Sequence, residues 1–246
     1  MQTLGCGRTT RLFPLVFGGA LNRAGPWLAG IAFALSFPGP AAEPALAAQA
    51  SHVLVDPEAP LDGDWTHKIF GTATEYTRIT LDDRPAIRAL GRNSASGLYR
   101  EVDYRAAEHP WLEWSWRVDR LQTSADIRTE AGQDFAAAIF LIFEERMLLM
   151  RHTSVLSYVW TNDRVSPETV VVSPYHPDTS RSVVVESGTK RLGQWVHERR
   201  NVLADYRRAF GEDPPKTVRT LALFTDSDQT GEPVEAYYGA VRAVRE

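Results

Sequence analysis

The chain has 246 residues, with 27 Lys and Arg against 31 Asp and Glu, a net charge of −4 and one cysteine. An acidic balance argues against nucleic acid as a partner, because phosphate backbones select basic surfaces. A lone cysteine excludes an internal disulfide and a cysteine-rich metal site.

Taken in order, the first 50 residues read as an export leader. Arg8, Arg11 and Arg23 precede an apolar run from Trp27 to Phe37, and two small-x-small sites follow at Ala45-Leu46-Ala47 and Ala48-Gln49-Ala50. The run is well short of the ~20 residues that span a bilayer. Cleavage before Ser51 is therefore expected, leaving a periplasmic or secreted protein with no transmembrane span. Cys6 belongs to the leader and precedes the apolar run, the wrong order for lipid attachment. Residues 51–246 are expected to form a single domain; the leader holds three basic residues and one acidic one, so the remainder carries 24 against 30, a net charge of −6.

Beyond the leader, short strand-like segments alternate with turn residues, which predicts an all-β fold. Ile79–Leu81 and Ala86–Leu90 flank Asp82-Asp83-Arg84-Pro85, a hairpin signal. Trp111–Val118 alternates cleanly, with Leu112, Trp114, Trp116 and Val118 on one face and Glu113, Ser115 and Arg117 on the other. Phe135–Phe143 is apolar at every position, the pattern of a central strand buried on both sides. Further strands are expected at Val155–Trp160, Thr169–Val172, Ser182–Val185, Val218–Thr225 and Ala236–Val244. One helix is predicted over Val202–Phe210, capped by Asn201 and stopped by Gly211, with Val202, Tyr206 and Phe210 on one face to plug an open end of a two-sheet sandwich.

Seven motifs occur in order: Phe70-Gly-Thr-Ala-Thr-Glu-Tyr76, Ser94-Ala-Ser-Gly-Leu98, Trp114-Ser-Trp-Arg-Val118, Gln133-Asp-Phe135, Tyr158-Val-Trp160, Asp205-Tyr-Arg-Arg-Ala-Phe-Gly211 and Thr225-Asp-Ser-Asp-Gln-Thr-Gly231. In this order they resemble the bacterial family catalogued as domain of unknown function 3047, from about Trp65 to the C-terminus. The order is also similar to jelly-roll carbohydrate-binding modules of the galactose-binding-like type. The resemblance implies a two-sheet jelly-roll β-sandwich and gives no activity.

The chemistry is therefore sought residue by residue. Trp111, Trp114, Trp116, Trp160 and Tyr158 concentrate aromatic surface of the kind on which sugar rings stack. Trp114 and Trp116 share the core-patterned face, whereas Trp111 stands on the polar face and Trp160 ends its strand beside Thr161-Asn-Asp-Arg164. Arg117 and Asp134 sit at the mouths of apolar strands, as a buried structural pair or as a grip on a ligand's oxygens. The candidate ligand-binding residues are Trp111, Glu113, Arg117, Asp134, Tyr158 and Trp160. Asp226, Asp228 and Thr230 are the candidate metal ligands, with calcium as the cation, although the same residues are ordinary turn formers and the bidentate Glu of an EF-hand is missing. Gly-x-Ser-x-Gly, HExxH and phosphate-loop motifs are absent from the sequence. Non-catalytic binding of a glycan or related polar ligand is the leading expectation. A carboxylate-dependent glycan hydrolase or lyase, and a structural envelope partner, are the alternatives.

Overall fold

The computed structural model describes residues 51–147 and 150–245. The expected leader, with Cys6 and its cleavage sites, lies outside the described residues. Among the described residues there are thirteen strands and one α-helix: β1 His52–Val55, β2 Trp65–Ile69, β3 Glu75–Leu81, β4 Arg84–Gly91, β5 Ala95–Tyr104, β6 Trp111–Arg120, β7 Ala137–Met147, β8 Met150–Thr161, β9 Val170–Val172, β10 Ser180–Ser187, β11 Val196–Asn201, α1 Val202–Phe210, β12 Val218–Asp226 and β13 Val234–Val244. They form a jelly-roll β-sandwich. One sheet runs β11-β6-β13-β4-β3, with β1 also paired to β13, and the other runs β2-β5-β12-β7-β8-β10-β9. Most neighbours are antiparallel, but β10 pairs with β8 in parallel. Among the described residues no helix is long and apolar enough to cross a membrane.

Local sequence explains the elements that matter. Leu81 pairs with Arg84, so the β3–β4 loop is only Asp82-Asp83, and both residues have positive φ (52° and 58°), as a two-residue hairpin with the strands' twist requires. Pro85 lies inside β4 rather than in the turn. It is tolerated because β13 pairs with β4 only as far as Ile87, which leaves no ladder partner on that side for the missing N–H.

Along β6, Leu112, Trp114, Trp116 and Val118 turn inward as the alternation predicts. They meet Tyr158 and Trp160 of β8 in an aromatic stack between the sheets. Ring centroids lie 5.1 Å apart for Trp114 and Tyr158 and 6.1 Å apart for Trp116 and Trp160.

Helix α1 has the expected limits. The Asn201 side chain accepts the Ala204 N–H at 3.0 Å, and Gly211, at φ 78°, donates its N–H to the Arg207 carbonyl. Val202 and Tyr206 are buried in the core, and Tyr206 packs on Phe143 at 5.0 Å. A charge cluster fastens the helix: Arg200 donates to both oxygens of buried Asp205 (2.8 and 2.9 Å), the Tyr158 hydroxyl donates to Asp205 at 3.1 Å, and Arg200 and Arg208 both reach Glu168.

Candidate functional site

Strand β7 is the middle strand of the seven-stranded sheet and has two apolar faces. Ala137, Ile139, Leu141 and Phe143 join the main core, while Ala138, Phe140 and Ile142 belong to a second apolar cluster with Tyr99, Phe135, Ala222 and Phe224. That second cluster floors a groove of about 470 Å³. Its floor is Tyr99, Phe135, Phe140, Ile142 and Phe224 with buried Ser157 and Ser182 beside them, and its rims carry Phe70, Gln133, Tyr175, Asp228 and Gln229.

The aromatic floor is built across three strands. Phe224 on β12 stacks on Phe140 of β7, with centroids 5.1 Å apart and planes at 13°, and Phe70 lies 6.0 Å from Phe224. Phe224 is registered opposite Gly97 of β5, where an added Cβ would stand 2.6 Å from the ring. Glycine at that position therefore lets the ring lie close to the sheet. Phe70, 65% exposed, and Tyr175, 46% exposed, stand up at the rims. The Tyr175 hydroxyl donates to the Glu130 carbonyl at 2.9 Å, tying the β9–β10 loop to the short 3-10 turn Glu130–Gly132.

Beneath Phe224 the space between the sheets is filled by hydroxyls. Thr74 donates through its hydroxyl to the Thr225 carbonyl (2.7 Å) and through its N–H to Ser96 Oγ (2.8 Å). Tyr76 donates to the Ser96 carbonyl at 2.9 Å and accepts the Thr225 N–H at 3.1 Å. Tyr238 donates to the Phe224 carbonyl at 2.8 Å and accepts the Ala138 N–H at 3.1 Å. Every one of these backbone groups is thereby partnered in a buried setting.

One end of the groove is acidic. Oxygens of Asp134, Asp226 and Asp228 lie within 4.8 Å of one another. Asp134 is fully buried, and its carboxylate accepts the Gln229 N–H (3.2 Å), the Thr230 N–H (2.8 Å) and the Thr230 hydroxyl (2.5 Å). Asp226 Oδ1 accepts the Phe135 N–H at 2.6 Å. Burial pushes the Asp226 carboxyl well above its ordinary range, and the adjacent Asp134 and Asp228 push the same way against the Phe135 hydrogen bond. Asp228 is raised too, first by burial and then by Asp134. Asp228, at the rim, offers carboxyl oxygens to a ligand's hydroxyls.

Only part of the sequence-derived site is gathered here. Asp134, Asp226 and Asp228 meet, and Thr230 adjoins them with its hydroxyl donating to Asp134. Tyr158 and Trp160 face the interior of the sandwich; Trp160 donates its indole N–H to the Gly188 carbonyl, so neither ring forms a rim. Trp111, Glu113 and Arg117 occupy the other sheet. Arg199 lies 4.5 Å over the Trp111 ring and pairs with Glu113 at 3.0 Å. Arg117 is paired with Asp119 (2.6 Å) and Asp82 (2.8 Å), not with Asp134. The groove's phenylalanines were missed, although Phe135–Phe143 carried the signal: a strand apolar on both sides has a second face to cover.

Fold and groove together define a jelly-roll sandwich with an aromatic-floored cleft on one outer sheet face. The model described as Protein of unknown function (DUF3047) matches residues 63–242, and the chain belongs to that family. No curated protein matches in sequence. Among solved structures, a family 11 carbohydrate-binding module from Clostridium thermocellum, in complex with a β-1,3-1,4-mixed-linked tetrasaccharide, is similar at TM-score 0.44 and 9% identity, covering 80% of this chain and 96% of that one. The family 11 xylanase from Neocallimastix patriciarum is similar at TM-score 0.36 and 10% identity, covering 81% and 94%. Likenesses this distant carry no functional argument.

Proposed function

We propose that the domain binds a glycan in the groove of the seven-stranded sheet. The observation that carries this reading is the Phe224–Phe140 stack at the floor of a cleft edged by amides, hydroxyls and a carboxylate. Pyranose rings offer apolar C–H faces to aromatic floors and hydroxyls to polar rims, which is the composition of this cleft. Binding is favoured over hydrolysis because the two carboxylates that line the groove, Asp226 and Asp228, share one end of it, with Asp134 buried behind them. Among the described residues no carboxylate lines the opposite rim, where a second catalytic group would stand.

The test is calorimetry against cell-wall, capsular and storage oligosaccharides with the intact protein and Phe140→Ala, folding being checked by far-UV circular dichroism. At least one oligosaccharide is expected to bind, and the substitution to weaken it by about tenfold through lost stacking and apolar contact. Absence of binding across the panel, or a folded Phe140→Ala protein of unchanged affinity, overturns the reading.

A further inference from the structure

Tyr99 lines both the aromatic groove and a second depression of about 430 Å³ on the same sheet. The second depression is polar, with Thr66, Lys68, Arg100 and Glu101 among its lining residues. Arg100 is engaged, donating to the Leu54 carbonyl (3.1 Å) and pairing with Asp64 (3.2 Å). Lys68 is not: its ammonium stands 4.3 Å over the Tyr99 ring, and among the described residues it has no carboxylate partner. A cation held on an aromatic face keeps its charge available to a third group.

Resting on the glycan reading above, we propose that the two depressions are one continuous site for an extended acidic glycan, with a uronate carboxylate meeting Lys68 while a neighbouring ring lies on the phenylalanine floor. Two features carry this. Lys68 is registered opposite Gly97 and Asp226 opposite Ala95, which sets their Cα atoms roughly 12 Å apart by strand rise and spacing. That span requires more than one sugar unit. The charged groups also bias the register: Asp228 disfavours a carboxylate at its end, while in the second depression Asp64 is paired with Arg100 and Lys68 is left to meet one, with Glu101 on the same lining as its competitor.

The experiment compares binding of a uronate tetrasaccharide, its uronate disaccharide and a neutral tetrasaccharide to the intact protein, Lys68→Gln and Lys68→Arg. The uronate tetrasaccharide is expected to bind about fivefold tighter than the neutral one at low salt, the scale of an accessible ion pair. Raising the salt and Lys68→Gln should each erase that preference, while Lys68→Arg keeps it. The disaccharide should show no dependence on Lys68. Equal affinity for the two tetrasaccharides, or a preference that survives Lys68→Gln, overturns the proposal while leaving glycan binding intact. Failure of every oligosaccharide to bind removes the underlying reading as well.

Discussion

Glu198 of β11 lies at the edge of the sandwich, registered opposite Trp114, with its carboxyl largely withdrawn from water. Burial first, and then the charge of Glu186, push that carboxyl up to about 7, against the pull of the Trp116 indole, Arg191 and Arg200. The Trp116 N–H does not complete a well-formed bond to it. In the unfolded chain the same group titrates near 4.5. Below that pH both states hold the proton and Glu198 has no effect. Between 4.5 and 7 the unfolded state loses its proton first, so stability falls as pH rises; above 7 the fold must carry the charge and the loss is complete. The full shift corresponds to about 3 kcal/mol, and partial solvent screening reduces it to about 1–2 kcal/mol. Glu198→Gln should therefore leave stability unchanged at pH 4 and raise Tm by about 2–8 °C at pH 8 for a domain of this size. Thermal melts of both proteins from pH 4 to pH 9 make the measurement. A stability difference that does not vary with pH, or a destabilised variant at pH 8, would refute the reasoning.

Asp205→Ala should cost about 1–3 kcal/mol in urea unfolding, because it leaves the Tyr158 hydroxyl without its buried acceptor and Arg200 with Glu168 alone; no measurable loss would show that water replaces the carboxylate. Gly97→Ala should force Phe224 off the sheet, destabilising by about 1–3 kcal/mol and disrupting groove binding together, and a variant that keeps both properties would place the close contact elsewhere. Chelator or calcium should leave the melting temperature unchanged, since Asp134 already accepts two N–H groups and a hydroxyl and Asp226 a third N–H; a rise in Tm with calcium would assign the cluster to a cation.

The fold was legible wherever a local rule acts alone. Asp82-Asp83 needs only the twist of a two-residue hairpin, α1 only its caps, and β6 only the alternation that sends Trp114 and Trp116 inward. β11, with the sequence Val-His-Glu-Arg-Arg-Asn, was not read as a strand, because an edge strand has one neighbour and carries charges that an interior strand excludes. The site was harder for a different reason. Tyr99, Phe140 and Phe224 are far apart in sequence and converge only because β12 lies between β5 and β7. Tryptophans attracted the functional reading through their size, yet that size suits Trp116 and Trp160 to filling the space between sheets. The acidic turn was found, but nothing in its spacing shows that Asp134, 92 positions before Asp226, closes the cluster.

The hydroxyl layer under Phe224 bears on how the cleft discriminates. With the carbonyls and N–H groups of Phe224, Thr225, Ser96 and Ala138 bonded from below, the floor has no slack with which to mould itself to a visitor. On the proposed reading such a surface would select by refusal: a poorly shaped ring would stand off the platform instead of reshaping it, and ordering the floor would add no entropic cost to binding. If the groove binds as proposed, substitutions of Gln133, Tyr175 or Gln229 should alter ligand preference while the platform stays as it is.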